Sequence, residues 1–207
     1  MINAAQSDSR ITRLIEEAIL EDLGMGDITT DAIVSPDERA AGEIRAKEAG
    51  VLAGIGIASN TFQIVDPDLS FKPSCDDGSE FAAGTVVATI EGPLGGILKA
   101  ERTALNILQR MSGIATLTKK FVDAVSGTGV RITDTRKTPP GLRLLDKLAV
   151  RLGGGTNHRF GLDDMVLIKT NHIVAAGGVA PAVERCLRFL EGRSREFRVE
   201  VETRNLD

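Results

Sequence analysis

The stretch TDTRKTPPGLRLLDKLAVRLGGGTNHRFGL, residues 133–162, carries the signals from which the fold is read. It opens on the end of a strand pattern, GVRITDT (129–135), and then repeats its apolar residues at helical spacing through PGLRLLDKLAVRLG (140–153). Further along, DMVLIK (164–169) reads as a strand, GVAPAVERCLRFLEG (178–192) as a helix and FRVEVET (197–203) as a strand. Strand and helix alternating in this way predict βαβ units and a parallel sheet, with right-handed crossovers. Three strands fit before Asp207, whereas a closed eight-stranded (β/α) barrel takes about 250 residues. The second half is therefore expected to be a small open sheet or the first part of a barrel.

Upstream the text differs. Residues 9–23 place Ile11, Leu14, Ile15, Ala18 and Ile19 at helical spacing, with Ser9 as the expected N-cap. GMGDITTDAIV (24–34) then breaks the helix, and Asp27, Thr29, Thr30 and Asp31 are suited to satisfy loose backbone donors. From 39 to 98, short apolar runs separated by Gly, Pro, Asp and Ser predict an antiparallel sheet. Residues 100–125 return to helical period, interrupted by Gly113, which costs about 1 kcal/mol relative to Ala and predicts a kink or a close contact.

The chain has 207 residues, 42% of them hydrophobic, enough for a real core. Its net charge of −4 argues against nucleic acid or an anionic membrane as partner. Aromatics make up 3% and are all Phe, which removes most stacking platforms for single-stranded bases. Cys75 and Cys186 stand far apart and read as reduced thiols. The first twenty residues hold no apolar core of signal-peptide length, and no uncharged apolar run is long enough to span a bilayer. A soluble cytoplasmic protein is expected.

The charge is unevenly placed. From Arg131 to His172 there are eight Lys/Arg against four Asp/Glu, and both histidines, His158 and His172, fall in this window. In parallel α/β structures ligands sit at the C-terminal ends of strands. The first expected strand ends in Thr135, Arg136 and Lys137; the second ends in Lys169; the third carries Glu200 and Glu202; and the glycine-rich loop between the first two holds His158 and Arg159. A guanidinium fits a carboxylate or phosphate with two parallel bonds, and a lysine adds a point charge. A lone surface cation is most often merely solvated. Arg136, Lys137, Arg159 and Lys169 stand out because they fall at strand ends and in an adjoining loop rather than on helix faces. Converging at one barrel mouth, they would hold a ligand with two or more negative charges. His158 can be neutral or cationic near neutral pH. The glycines at 153–155 either bring the backbone close to a ligand or stop the helix. Inward-facing Glu200 and Glu202 would bind a sugar hydroxyl or a divalent metal carried by phosphates.

GDITTDA (26–32), ERTALNILQRMSGIATLT (101–118), the stretch at 133–162 and LIKTNHI (167–173) together resemble quinolinate phosphoribosyltransferase, also called carboxylating nicotinate-nucleotide pyrophosphorylase. The resemblance runs from about residue 10 to 207 in the family's order and spacing. It implies an α/β fold: an α+β N-terminal sandwich domain (1–112) and the first part of a seven-stranded α/β barrel of the type II phosphoribosyltransferase kind (113–207). It implies conversion of quinolinate and phosphoribosyl pyrophosphate to nicotinate mononucleotide, carbon dioxide and pyrophosphate, with Mg2+, in de novo NAD synthesis. The substrate-binding residues it implies are Arg102, Thr135, Arg136, Lys137, His158, Arg159, Lys169 and Glu202. Lys137, Lys169 and Glu202 would be catalytic, Glu202 also meeting magnesium through phosphoribosyl pyrophosphate, with Glu200 the alternative acid. A homodimer, or a hexamer, is implied, with Arg102 reaching the neighbouring active site.

There are departures. Thr170 stands where the family usually has an acid after the strand-end lysine, and TPPG replaces TTPG, which should be tolerated because proline suits a helix's first turn. The family's later strands, with a further acid and glycine-rich phosphate loops, are not in these 207 residues, nor is the C-terminal segment that helps complete the N-terminal domain. If the chain is whole, weak or no phosphoribosyl transfer is expected, with strand edges open to pairing. The alternatives are the related pyrophosphorylase-like protein associated with molybdenum transport, disfavoured by NHRFGL with LIKTNH, and a catalytically silent fragment. GTVVATIEGPLGGIL (84–98) resembles a biotinyl or lipoyl carrier but lacks the modifiable lysine.

Overall fold

A computed structural model of the chain describes residues 8–205. The chain divides into two compact units, one reaching to Asn157 and one beginning at His158.

The first unit opens with α1 (Ser9–Leu23), whose N-cap is Asp8, not Ser9. The Asp8 carboxylate accepts from the Arg10 backbone N–H at 2.9 Å and from the Arg10 side chain at 2.7 and 3.0 Å. These bonds hold the Asp8 carboxyl down to about 2. A charged acceptor at the positive end of a helix outcompetes the hydroxyl beside it. The residues expected to satisfy loose donors build a short helix instead, α2 (Ile28–Ile33), capped by Asp27, which accepts from the N–H groups of Thr29 and Thr30.

The expected antiparallel sheet is formed by β1 (Arg39–Arg45), β3 (Ser70–Pro73) and β5 (Val86–Pro93) in the order β1-β5-β3, with Ala40 opposite Gly92 and Phe71 opposite Ile90. A second small ribbon pairs β2 (Gly50–Val51) with β4 (Glu80–Phe81). Between β2 and β3 lies α3 (Ile55–Val65), whose N-terminal N–H groups, on Gly54 and Ile55, donate to the Asp77 carboxylate at 2.5 and 3.0 Å. Phe62, Leu52, Leu69, Val87 and Ile90 form one apolar core with Ala100, Ala104 and Leu108 of the next helix.

That helix, α4 (Leu94–Ala124), has 31 residues and is therefore about 46 Å long. It is the spine of the unit, because its other face enters a second core. There Ile107, Met111 and Ala115 meet Ile11 and Ile15 of α1 and Leu145, Leu148 and Ala149 of the following helix. The helix continues unbroken through Gly113, and a methyl group there would meet nothing within 4 Å, so the expected close contact is not made. Residues 112 and 113, where the sequence reading divides the chain, lie within α4.

The strand expected at 129–135 shrinks to one parallel bridge between Thr133 and Thr156. The Thr156 N–H donates to the Ile132 carbonyl at 2.8 Å, and the Asp134 N–H to the Thr156 carbonyl at 3.2 Å. A strand needs a neighbour along its length, and this stretch bridges its partner at one pair only. Pro139 and Pro140 lie in a turn, with Gly141 at φ +81°, rather than in the first turn of a helix. The helix that follows is α5 (Arg143–Leu152). The glycine run after it serves close packing: a Cβ on Gly153 would overlap the Ala115 carbonyl of α4, and one on Gly155 would lie 2.8 Å from the Thr118 methyl.

The second unit contains β6 (Val166–Ile168), α6 (Thr170–Ala176), α7 (Val179–Leu190) and β7 (Val199–Val201). The strands pair in parallel, Val166 opposite Val199 and Ile168 opposite Val201. Helix α6 is not anticipated by periodicity; seven residues are too few to show it. Its start is closed locally, the Lys169 N–H donating to His172 Nδ1 at 2.9 Å and the His172 N–H to the Lys169 carbonyl at 2.8 Å. The architecture is thus α/β, with antiparallel sheets and one parallel bridge in the first unit and a parallel strand pair in the second.

Candidate active site

In the first unit, Thr135, Lys137 and Thr138 line a cleft of about 280 Å3 with Arg110 of α4 and Asp146 and Lys147 of α5. Two hydroxyls shape the loop: the Lys137 N–H donates to Thr135 Oγ1 at 3.0 Å, and Arg143 Nε to Thr138 Oγ1 at 3.2 Å. Arg136 is half-buried, and its Nε is the fully buried side-chain donor without an acceptor among the described residues. Lys137 is exposed. Neither forms an ion pair with a carboxylate among the described residues, so the charge of both remains unspent.

Beside these two cations lies a set of charges that is fully paired. Arg110 donates to both Asp146 oxygens at 2.8 and 2.9 Å, a bidentate bond that keeps Arg110 more firmly protonated. Lys147, 2% exposed, pairs with Asp134, and the Asn157 amide, its orientation assigned from its hydrogen-bonding neighbours, then donates to Asp134 Oδ2 at 2.8 Å and to the Lys147 carbonyl at 2.9 Å. The sequence reading missed Arg110, Asp134, Asp146, Lys147 and Asn157. A signal existed: the Asp-Lys pair sits inside LLDKLAV, an otherwise apolar run on a helix.

Arg102 is exposed on α4 and is not brought to the cleft of Thr135 and Lys137. It borders two others, one of about 1000 Å3 shared with Arg45, Phe62 and Ile97, and one of about 390 Å3 shared with Asp27 and Lys99.

In the second unit, Arg159 is 7% exposed, and its one hydrogen bond among the described residues is to the Met165 carbonyl, at 3.4 Å. It has no carboxylate partner among the described residues. Its other N–H groups are not among the fully buried donors left unsatisfied, so they open onto accessible space. Glu200 on β7 and Glu202 just past its end are exposed, alternating with half-buried Val199 and Val201, as the pattern of FRVEVET predicts. His158 Nε2 lies 2.9 Å from Glu200 Oε2, and Lys169 Nζ lies 3.5 Å from Glu202 Oε2. Each acid therefore holds one of the groups chosen from the sequence. Asp164 fixes the loop between, accepting from the Phe160 N–H at 2.8 Å and from Arg195 at 2.9 Å, and both hold its carboxyl below the usual range. No group of three His, Cys, Asp or Glu residues converges on one point among the described residues.

The fold is α/β, and in it Arg136 and Lys137 of the first unit and Arg159 of the second each lack a carboxylate partner among the described residues. The chain belongs to the quinolinate phosphoribosyltransferase family. The family's N-terminal domain matches residues 27–112 and its C-terminal domain residues 114–207. The chain is 44% identical to the probable nicotinate-nucleotide pyrophosphorylase [carboxylating] of Synechocystis, over 93% of this chain and 64% of that one. It is 47% identical to quinolinate phosphoribosyltransferase [decarboxylating] 1b of Nicotiana tabacum, over 93% and 55%. Among solved structures, NadC from Streptococcus pyogenes superposes with a TM-score of 0.91 at 38% identity, over 97% of this chain and 70% of that one. The nicotinate-nucleotide pyrophosphorylase from Francisella tularensis gives 0.89 at 38%, over 96% and 69%. The chain thus spans 64% and 55% of the length of the two curated relatives, and its α/β fold is that of the solved relatives over the part it covers.

Proposed function

We propose that the chain is a quinolinate phosphoribosyltransferase that acts in the cytoplasm and joins quinolinate to phosphoribosyl pyrophosphate. The products are nicotinate mononucleotide, carbon dioxide and pyrophosphate, a step in de novo NAD synthesis. The observation that carries the reading is Arg159. Burying a cation without a counter-charge is costly, and a protein that does so has a use for an anion there. Quinolinate, with two adjacent carboxylates, is such an anion.

In this reading Arg136 and Arg159 orient carboxylates, Thr135 holds the turn that presents Arg136, and Lys137 supplies a point charge. The ring nitrogen's lone pair forms the bond to the sugar carbon as the carbon–oxygen bond to pyrophosphate breaks, the pair leaving with pyrophosphate. Positive charge develops at the sugar, and cations favour the leaving group. The ribosylated ring is a pyridinium. When the bond to the 2-carboxylate breaks, the electron pair stays on the ring carbon, carbon dioxide leaves, and a proton is taken up there. Lys169, beside Glu202, and His158, beside Glu200, are the groups proposed to assist with charge and proton.

The described residues do not fit a magnesium ion caged by protein, since the two strand-end acids are each engaged with a cation or an imidazole. Magnesium is read as arriving with the diphosphate cosubstrate. Arg102, exposed and away from the cleft of Thr135 and Lys137, suits a role in the active site of a second copy in a dimer. Among the described residues no helix is long and apolar enough to cross a membrane.

The test is turnover in the protein expressed from its complete reading frame, with carboxyl-labelled quinolinate. The expected result is release of labelled carbon dioxide, one for each pyrophosphate, that requires phosphoribosyl pyrophosphate and stops when a chelator removes magnesium. Absence of release, or release without the cosubstrate, would overturn the reading.

A further inference from the structure

Asp134 and Lys147 form the most deeply buried ion pair among the described residues, their side chains 8% and 2% exposed. With its amide oriented as its hydrogen-bonding neighbours require, Asn157 locks the pair, donating to Asp134 Oδ2 at 2.8 Å and to the Lys147 carbonyl at 2.9 Å. The three residues come from three segments: the end of the bridge at Thr133, helix α5, and the residue after Thr156. A parallel sheet would ordinarily hold such a strand end by a ladder of backbone bonds. Here one bridge does so, and the charged hub reinforces it.

What the hub holds is the start of Thr135-Arg136-Lys137. The same loop is tied down at its far end by Arg143, also on α5, which donates to Thr138 Oγ1 at 3.2 Å. Helix α5 is in turn fixed to α4 by the bidentate Arg110–Asp146 bond. Arg136 and Lys137 therefore sit between two anchors on one immobilised helix, and neither has a carboxylate partner among the described residues.

A buried ion pair is a poor way to gain stability, because the desolvation of both charges offsets their attraction, and apolar residues of similar volume often hold as well. What apolar residues cannot supply is direction. Hydrogen bonds from three sides fix where Asp134 lies and hence the path on which the next three residues leave it. We propose that Asp134, Lys147 and Asn157 are a positioning hub for Arg136 and Lys137, so that losing it costs recognition of a dicarboxylate rather than the fold. The proposal rests on the quinolinate reading above.

The test measures binding of quinolinate, and of nicotinate as a one-carboxylate comparator, by calorimetric titration of the protein expressed from its complete reading frame. The double variant Asp134→Asn/Lys147→Met removes both charges together. It is expected to melt within about 4 °C of wild type. Its quinolinate affinity should fall about tenfold or more, as small misplacements of binding groups do, while nicotinate affinity changes less than about threefold. Asn157→Ala, which keeps the ion pair but removes its lock, should show the same pattern at smaller size, and it decides the matter if the double variant does not fold. Wild-type preference for quinolinate retained in the variants would overturn the hub alone. A wild type with no preference would count against the quinolinate reading itself, and the hub would fall with it.

Discussion

Arg159 is a cation held nearly out of water, with one long bond to a carbonyl. Its burden can be measured. Arg159→Met removes a desolvated charge from a site that offers it no counter-ion, so unfolding in urea should show a gain of about 1 kcal/mol, while quinolinate binding is lost. A loss of stability would mean that the guanidinium is paid back within the folded chain. Asp77 presents the opposite sign of charge. Burial pushes its carboxyl above the ordinary value, against the N–H groups of Ile55 and Gly54 that it caps. Its favourable contribution is therefore fully present below the unfolded value of about 3.9 and is lost as pH rises through the raised folded value. Relative to Asp77→Asn, the wild type should lose stability over that rise; a gain would contradict the assignment. Arg159 was legible in the sequence because it stands in a glycine-rich loop. The pairing of Asp134 with Lys147 was not, because a long-range ion pair leaves no periodic trace and the two residues lie on either side of a turn; LLDKLAV signals only that Lys147 is a charge in an apolar run.

At the scale of elements, α4 carries the first unit, and two glycines against it have opposite uses. Gly113 faces open space inside the helix. Replacing it with Ala should stabilise the protein by about 1 kcal/mol, the ordinary helix-interior difference. Gly153 lies where a methyl group would strike the Ala115 carbonyl and Thr118. Gly153→Ala should destabilise by about 1–3 kcal/mol, the usual range for overpacking. Urea unfolding of the two variants checks both signs. From sequence these glycines looked alike or even reversed: a mid-helix glycine suggested a close contact, and a glycine run suggested ligand approach or a helix stop. Periodicity identifies a helix but does not say which of its faces meets another backbone. The same limit explains the strand at 129–135, whose alternating pattern is real but whose partner is met only at Thr156.

For the whole molecule, the pattern of strands and helices revealed an α/β chain, and the motif order pointed to its family, which the matches over 27–112 and 114–207 show. The excess of positive charge between Arg131 and His172 resolves into two populations. Lys147 and Lys169 each stand against a carboxylate, Asp134 and Glu202, while Arg136, Lys137 and Arg159 have no carboxylate partner among the described residues. Net charge from sequence cannot make that separation, because it depends on which acids the fold brings alongside. The central claim is that the uncommitted cations recognise two adjacent carboxylates. Its most direct test is a calorimetric titration of wild type and Arg136→Ala with quinolinate and with nicotinate. The account predicts that wild type prefers quinolinate and that Arg136→Ala binds it about tenfold or more weaker, as loss of a charge-assisted bond implies, with an unfolding midpoint close to that of wild type. Unchanged quinolinate affinity in Arg136→Ala would contradict it.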